Sequence, residues 1–178
     1  MDYGPMIAAH VERGADATVG CIEVPIDRAS AFGVMTIDSG QRVTAFLEKP
    51  ERPEPLPGRT DVALASMGIY VFNRDTLLEA LDKTDYLDFG KEVFPASVRA
   101  KRVQLHLFDG YWEDIGTIRA FYDANLSLAN PEPPFDFHTA AAPIYSRPRF
   151  LPPTLVEDAV IKRSLVADGC RIGKGSII

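Results

Sequence analysis

A helix-period stripe followed at once by an uninterrupted apolar strand confines this chain to a layered α/β architecture. Met6, Ile7, His10 and Val11 share one face of a helix over residues 6–13, and Gly14 closes it. Thr18, Val19, Cys21, Ile22 and Val24 then mark a mostly buried strand ended by Pro25. A helix feeding such a strand is half of a β-α-β unit, and the strand expected before the helix is missing from the sequence. His10 has no partner at metal-ligand spacing and is read as a surface or packing residue.

The chain continues in the same grammar. Residues 31–37 and 41–47 are rich in β-formers and flank Asp38-Ser39-Gly40-Gln41, whose glycine suits the positive φ of a hairpin turn. Residues 63–72 read as a buried strand with small residues at its entrance. Asn73 is expected to cap a helix striped by Leu77, Leu78 and Leu81. A second capped helix is expected from Asp88, ended or kinked by Pro95. Val103 to Phe108 alternates with period two, leaving His106 exposed. Ile118, Phe121, Tyr122, Asn125 and Leu126 fall on one face of a helix from Thr117 to Leu128.

Composition narrows the partners. With 46% hydrophobic and 25% charged residues the 178-residue chain should mostly fold. A net charge of −6 without any Lys/Arg-rich run argues against general nucleic-acid binding, so an anionic ligand needs local cations. Cys21 and Cys170 match no metal or redox spacing, and Cys21 is expected in the core. No stretch approaches the roughly 20 apolar residues of a membrane span, and no basic-then-apolar leader opens the chain. A cytoplasmic protein is expected. The prolines concentrate in residues 50–57 and 131–153, read as a surface loop and an interdomain connection.

Three places carry candidate chemistry. Phe46-Leu47-Glu48-Lys49-Pro50 puts an acceptor-only and a donor-only side chain at a strand end, a combination suited to a ligand bearing hydroxyls and a phosphate. Pro50 biases Lys49 toward extended backbone, so the two side chains should leave in alternate directions. The competing reading is a solvated turn. Gly33, on the opposite hairpin arm, is either a packing accommodation or a place where a ligand nears the backbone. Asp114, in Tyr111-Trp112-Glu113-Asp114-Ile115-Gly116-Thr117, lies in a strand-to-helix loop of the kind that binds ligands in open sheets. It is a hard carboxylate suited to Mg²⁺ beside phosphate oxygens, or a cap for the following helix.

The tail changes period. Val160, Val166, Ile172 and Ile178 recur every six residues, with Ser164, Cys170 and Ser176 in step. Such a repeat signals a parallel β-helix, of which these hexads supply little more than one coil.

Ser30-Ala31-Phe32-Gly33-Val34-Met35, Phe46-Leu47-Glu48-Lys49-Pro50, Leu64-Ala65-Ser66-Met67-Gly68-Ile69-Tyr70-Val71-Phe72 and the Tyr111–Thr117 stretch together resemble the bacterial glucose-1-phosphate adenylyltransferase family, the ADP-glucose pyrophosphorylases. The resemblance covers almost the whole chain, hexad tail included. It implies the C-terminal part of a Rossmann-like nucleotide-diphospho-sugar transferase domain over residues 1–130. A Pro-rich connection over 131–154 and the first coil of a left-handed β-helix over 155–178 would follow. The implied reaction joins ATP and α-D-glucose 1-phosphate into ADP-glucose and pyrophosphate, which supplies glycogen biosynthesis. Carried over by motif, Lys49 would bind the sugar phosphate, Glu48 would accept from sugar hydroxyls, and Gly33 and Ser66 would line the same pocket. Asp114 would be one of two Asp residues holding Mg²⁺. A homo-oligomer, a homotetramer by resemblance, is implied at full length.

The family's Gly-rich, Arg-containing nucleotide loop and its Gly-Asp metal motif have no counterpart in this sequence. A chain truncated at both ends, and inactive by itself, is therefore expected. Two other readings stay open: a non-catalytic sugar-phosphate-binding or assembly subunit, and a pyrophosphorylase for another nucleoside diphosphate sugar.

Overall fold

The computed structural model describes residues 1–82, 84–137, 139, 140, 143–145 and 150–178. The chain divides into two compact units, Met1–Gly110 and Tyr111–Ile178.

The first unit is a five-stranded mixed sheet with helices on both faces. Helix α1 (Gly4–Glu12) leads into β1 (Ala17–Pro25), and then come β2 (Gly33–Ile37), β3 (Val43–Glu48), β4 (Val62–Phe72), α2 (Arg74–Asp82), α3 (Phe94–Ala100) and β5 (Val103–Leu107). The strand order is β3-β2-β4-β1-β5. β5 lies parallel to β1, and the other ladders are antiparallel. The start of β3 also reaches β5, through an Arg42–Gln104 bridge and a 3.0 Å bond from Leu105 N to Gln41 O.

Period two sorts β1 between its neighbours. Ala17, Val19 and Cys21 join Met35, Val43, Phe46, Leu64, Phe94, Val98, Val103 and Leu105 in the main core. On the other face Thr18 Oγ1 is 2.8 Å from His10 Nδ1 of α1, and Met6 is fully buried. His10 is thus a satisfied packing residue, and Gly14 closes its helix at φ 55°.

Several local expectations change. The positive φ of the hairpin turn falls on Gln41 (61°) rather than on Gly40, because the Asp38 carboxylate accepts from Gly40 N at 2.9 Å and Arg42 N at 3.0 Å. Asn73 does not spend its side chain on capping α2. Its Nδ2 donates to Ala15 O at 2.9 Å and its Oδ1 lies 3.3 Å from His10 Nε2. Leu78 and Leu81 of the expected stripe stay exposed, whereas Thr76 is buried. The helix expected from Asp88 opens as a π-helical turn, Phe89–Val93, and α3 continues it with Pro95 in its first turn. In β5, Val103 and Leu105 are buried while Leu107 is exposed.

In the second unit α4 (Ile118–Ser127) has the expected span, and its Thr117 cap accepts from Ala120 N at 3.0 Å. None of its residues is buried. Two short strands, β6 (Leu155–Val156) and β7 (Arg171–Ile172), pair in parallel, and a parallel bridge joins Val160 to Ile177. Three hexads would pair residues about eighteen apart. The observed partners stand closer, and of the repeat positions only Ile172 is buried. The expected connection over 131–154 includes residues 138, 141, 142 and 146–149, which lie outside the described residues.

Candidate functional site

Two of the candidates share one row across the sheet, and a third lies beside it. Gly33 of β2 pairs with Glu48, the last residue of β3, and Lys49 follows directly. On the other side of β2 the β4 ladder pairs Val34 with Ala65 and Met35 with Leu64, so Ser66 is the residue of β4 next to the last pair. Asp114 belongs to the second unit.

Lys49 departs from the extended geometry expected before a proline. Its φ is 47°, and its backbone N–H donates to Phe32 O at 3.0 Å, which extends the hairpin ladder one step past Glu48. That turn of the backbone overrides the bias imposed by Pro50. The Lys49 side chain is exposed and forms no ion pair among the described residues. Glu48 is half-buried, and among the described residues its carboxylate accepts no hydrogen bond. Neither oxygen is among the buried side-chain atoms left without a partner, so both stay open to solvent or a ligand.

A two-residue irregularity shapes the neighbouring strand. Gly20 pairs with Ile69 but Cys21 pairs with Ser66, so Met67 and Gly68 form a bulge, with Gly68 at φ 72°. The Ser66 hydroxyl accepts from Gly68 N at 3.3 Å and lies 3.4 Å from the Tyr70 hydroxyl. Residues four apart on a regular strand would be about 13 Å apart, so the bulge and the length of the tyrosine ring together close this contact.

Tyr70, Asp88 and Gly90 were not among the sequence candidates. Burial raises the Tyr70 phenol above its ordinary value, the Ser66 bond opposes this, and the Glu48 and Asp88 charges add to it. Both carboxylates thus lie within electrostatic reach of one phenol. Asp88 caps the π turn, accepting from Lys91 N at 2.8 Å, while Glu92 reaches back to Leu87 N at 2.7 Å and Asp88 N at 3.0 Å. The available signal was Gly90 itself, a poor residue inside a helical turn. Behind the row, Phe94 packs its ring 4.3 Å from Tyr70, 5.4 Å from Phe46 and 5.5 Å from Phe72, centroid to centroid.

Asp114 is exposed, and its Oδ1 accepts from Gly116 N at 3.2 Å. It holds the loop, while Thr117 caps the helix. No cluster of three His, Cys, Asp or Glu side chains suited to a metal occurs among the described residues. Asp114 by itself offers a hard cation one carboxylate. No helix of the described residues is long and apolar enough to cross a membrane.

The mixed α/β sheet, whose β3 ends in a carboxylate and an ammonium that are unpaired among the described residues, lies within the stretch matched by a nucleotidyl transferase family model. The chain belongs to the nucleotidyl transferase family, whose model matches residues 1–130. Among curated proteins it is 45% identical to glucose-1-phosphate adenylyltransferase 2 of Alkalilimnicola ehrlichii and 46% identical to glucose-1-phosphate adenylyltransferase of Nitrosococcus oceani. Each alignment covers 97% of this chain and 45% of the relative, so the chain spans a little under half the length of the relatives it matches.

Proposed function

We propose that the β3 end is the sugar-phosphate clamp of a glucose-1-phosphate adenylyltransferase, which joins ATP and α-D-glucose 1-phosphate into ADP-glucose and pyrophosphate. The observation that carries the reading is the half-buried Glu48 carboxylate, without a hydrogen-bond partner among the described residues, next to the exposed Lys49 ammonium. The kinship with two proteins named for that activity supports the choice of substrate.

Lys49 binds the phosphate as a point charge, a contact made in ground state and transition state alike. Glu48 and Asp88, which only accept when ionised, take the sugar hydroxyls, and Ser66 and Tyr70 add hydroxyls that both donate and accept. Gly33 completes the floor of the pocket. Fixing the sugar phosphate leaves one phosphate oxygen free to attack the α-phosphorus of ATP in line, so no covalent protein nucleophile is needed. Mg²⁺ bound with the help of Asp114 would neutralise charge on the phosphates. A left-handed β-helix over residues 155–178 belongs to the same reading, with the parallel pairing of β6 and β7 as support for parallel coils but not for their hand. Glycogen biosynthesis, a cytoplasmic location and a homo-oligomer belong to the same reading.

The test is a ³¹P NMR titration of glucose 1-phosphate with the 178-residue chain. A saturable shift of the sugar-phosphate resonance, competed by unlabelled ligand analogues that keep the glucose hydroxyls, is expected. A resonance that does not move at any protein concentration overturns the reading.

A further inference from the structure

Gly33 and Gly90 lack a Cβ at two places where neither needs glycine for its backbone, since neither has a positive φ. What excludes a side chain is space. A Cβ built on Gly90 would stand 2.5 Å from Glu48 Oε2 and 3.0 Å from Glu48 Cδ. One built on Gly33 would stand 2.9 Å from the same Oε2 and 2.7 Å from the Phe46 ring. At Gly33 the closest atom lies on the buried Phe46 ring, whereas at Gly90 the two closest atoms are the end of the flexible Glu48 side chain, so a Cβ there displaces the Glu48 carboxylate rather than straining backbone. The two glycines, one on β2 and one in the π turn, thus leave room between two backbones for one oxygen of Glu48.

Gly90 opposes its own local structure. Glycine is the poorest non-proline residue in a helical turn, and alanine at a compatible φ normally stabilises one. We propose that Gly90 is a positioning residue. With Gly33 it forms a slot that fixes Glu48 Oε2 and leaves the other carboxylate oxygen to accept from a ligand hydroxyl. The inference rests on the sugar-phosphate reading of this site for its ligand, but not for its geometry. The slot acts on the sugar side alone, because none of the atoms nearest either Cβ belongs to Lys49.

A thermal cycle on the full 178-residue chain tests the slot without ligand. Gly90→Ala should lower the melting temperature by about 2–4 °C, the scale of roughly one unfavourable contact in a chain of this length, where helix propensity alone would raise it. On a Glu48→Ala background the same substitution should cost nothing or stabilise. Glu48→Asp, whose shorter side chain withdraws from the slot, should recover most of the loss. Gly90→Ala should also weaken glucose 1-phosphate about tenfold, on the scale of one lost charge-assisted hydrogen bond. Binding of inorganic phosphate should not change, whereas a general loosening of the fold would weaken both ligands.

An equal thermal cost on both backgrounds overturns the slot. Thermal coupling with undiminished glucose 1-phosphate affinity overturns the positioning role. Thermal coupling in a parent chain that binds inorganic phosphate but not glucose 1-phosphate sustains the slot and overturns the sugar-phosphate reading.

Discussion

Removing the Phe94 ring should unseat the site from behind. Phe94 is fully buried and packs against Phe46, Tyr70 and Phe72, so it joins β3 and β4 to the helix that continues the π turn. Phe→Ala at such a site costs about 3–5 kcal/mol through lost burial and the cavity left behind. Three ring contacts, each worth roughly 0.5–1.5 kcal/mol beyond area, place Phe94→Ala toward the upper end of that range. With a urea slope of about 1.5 kcal/mol per molar, the midpoint should fall by about 3 M, which removes most of the stability of an ordinary domain. Phe94→Leu keeps much of the volume but loses the ring contacts, so it should cost less than Phe94→Ala yet more than about 1.5 kcal/mol. Urea unfolding followed by far-UV circular dichroism reads both variants. A midpoint for Phe94→Ala within about 0.5 M of the parent would refute the argument that this ring supports the row.

Two further outcomes follow from titratable groups. The raised Tyr70 phenol favours the protonated folded state, so its stabilising contribution is complete below the ordinary tyrosine value near 10 and is lost as pH rises through the folded value. Urea midpoints measured from pH 8 to 11 should decline at the alkaline end, and Tyr70→Phe should flatten that decline; an identical slope in the variant would contradict the assignment. Burial, and after it the Glu23 charge, pushes the Cys21 thiol far above its usual range, whereas Cys170 is exposed. A disulfide reagent at pH 8 should therefore modify one thiol per native chain and two in urea, and rapid modification of both in the native state would argue against a closed core.

Much of the first unit could be read in the residues because burial acts through period. β1 carries its alternate residues into one core, and the β2–β3 hairpin places Gly33 opposite Glu48 as its two arms suggest. The sequence failed where a long-range bond overrode a local preference. Lys49 turns to φ 47° because its N–H reaches Phe32 O, and Asn73 gives its side chain to Ala15 and His10 instead of to its own helix. Neither partner is near in sequence, so no window of residues reveals the contact. The candidate site divides in the same way. Glu48 and Lys49 stood out as a charged pair at a strand end, whereas Tyr70 and Asp88 acquire meaning only once the bulge at Gly68 and the π turn bring them near that pair. α4 shows the limit of periodicity, since its apolar stripe formed as expected and yet no residue of it is buried.

Whether the β3 end is a sugar-phosphate clamp is tested most directly by calorimetric titration of glucose 1-phosphate into the parent chain and into Lys49→Ala. Loss of a charge-assisted contact to phosphate is worth about 1.5–3 kcal/mol, so the variant should bind at least about tenfold more weakly. Lys49 forms no ion pair among the described residues, so its removal should leave the melting temperature nearly unchanged. Saturable binding by the parent with that loss in Lys49→Ala is the predicted result, and equal affinity in the two chains would contradict the clamp.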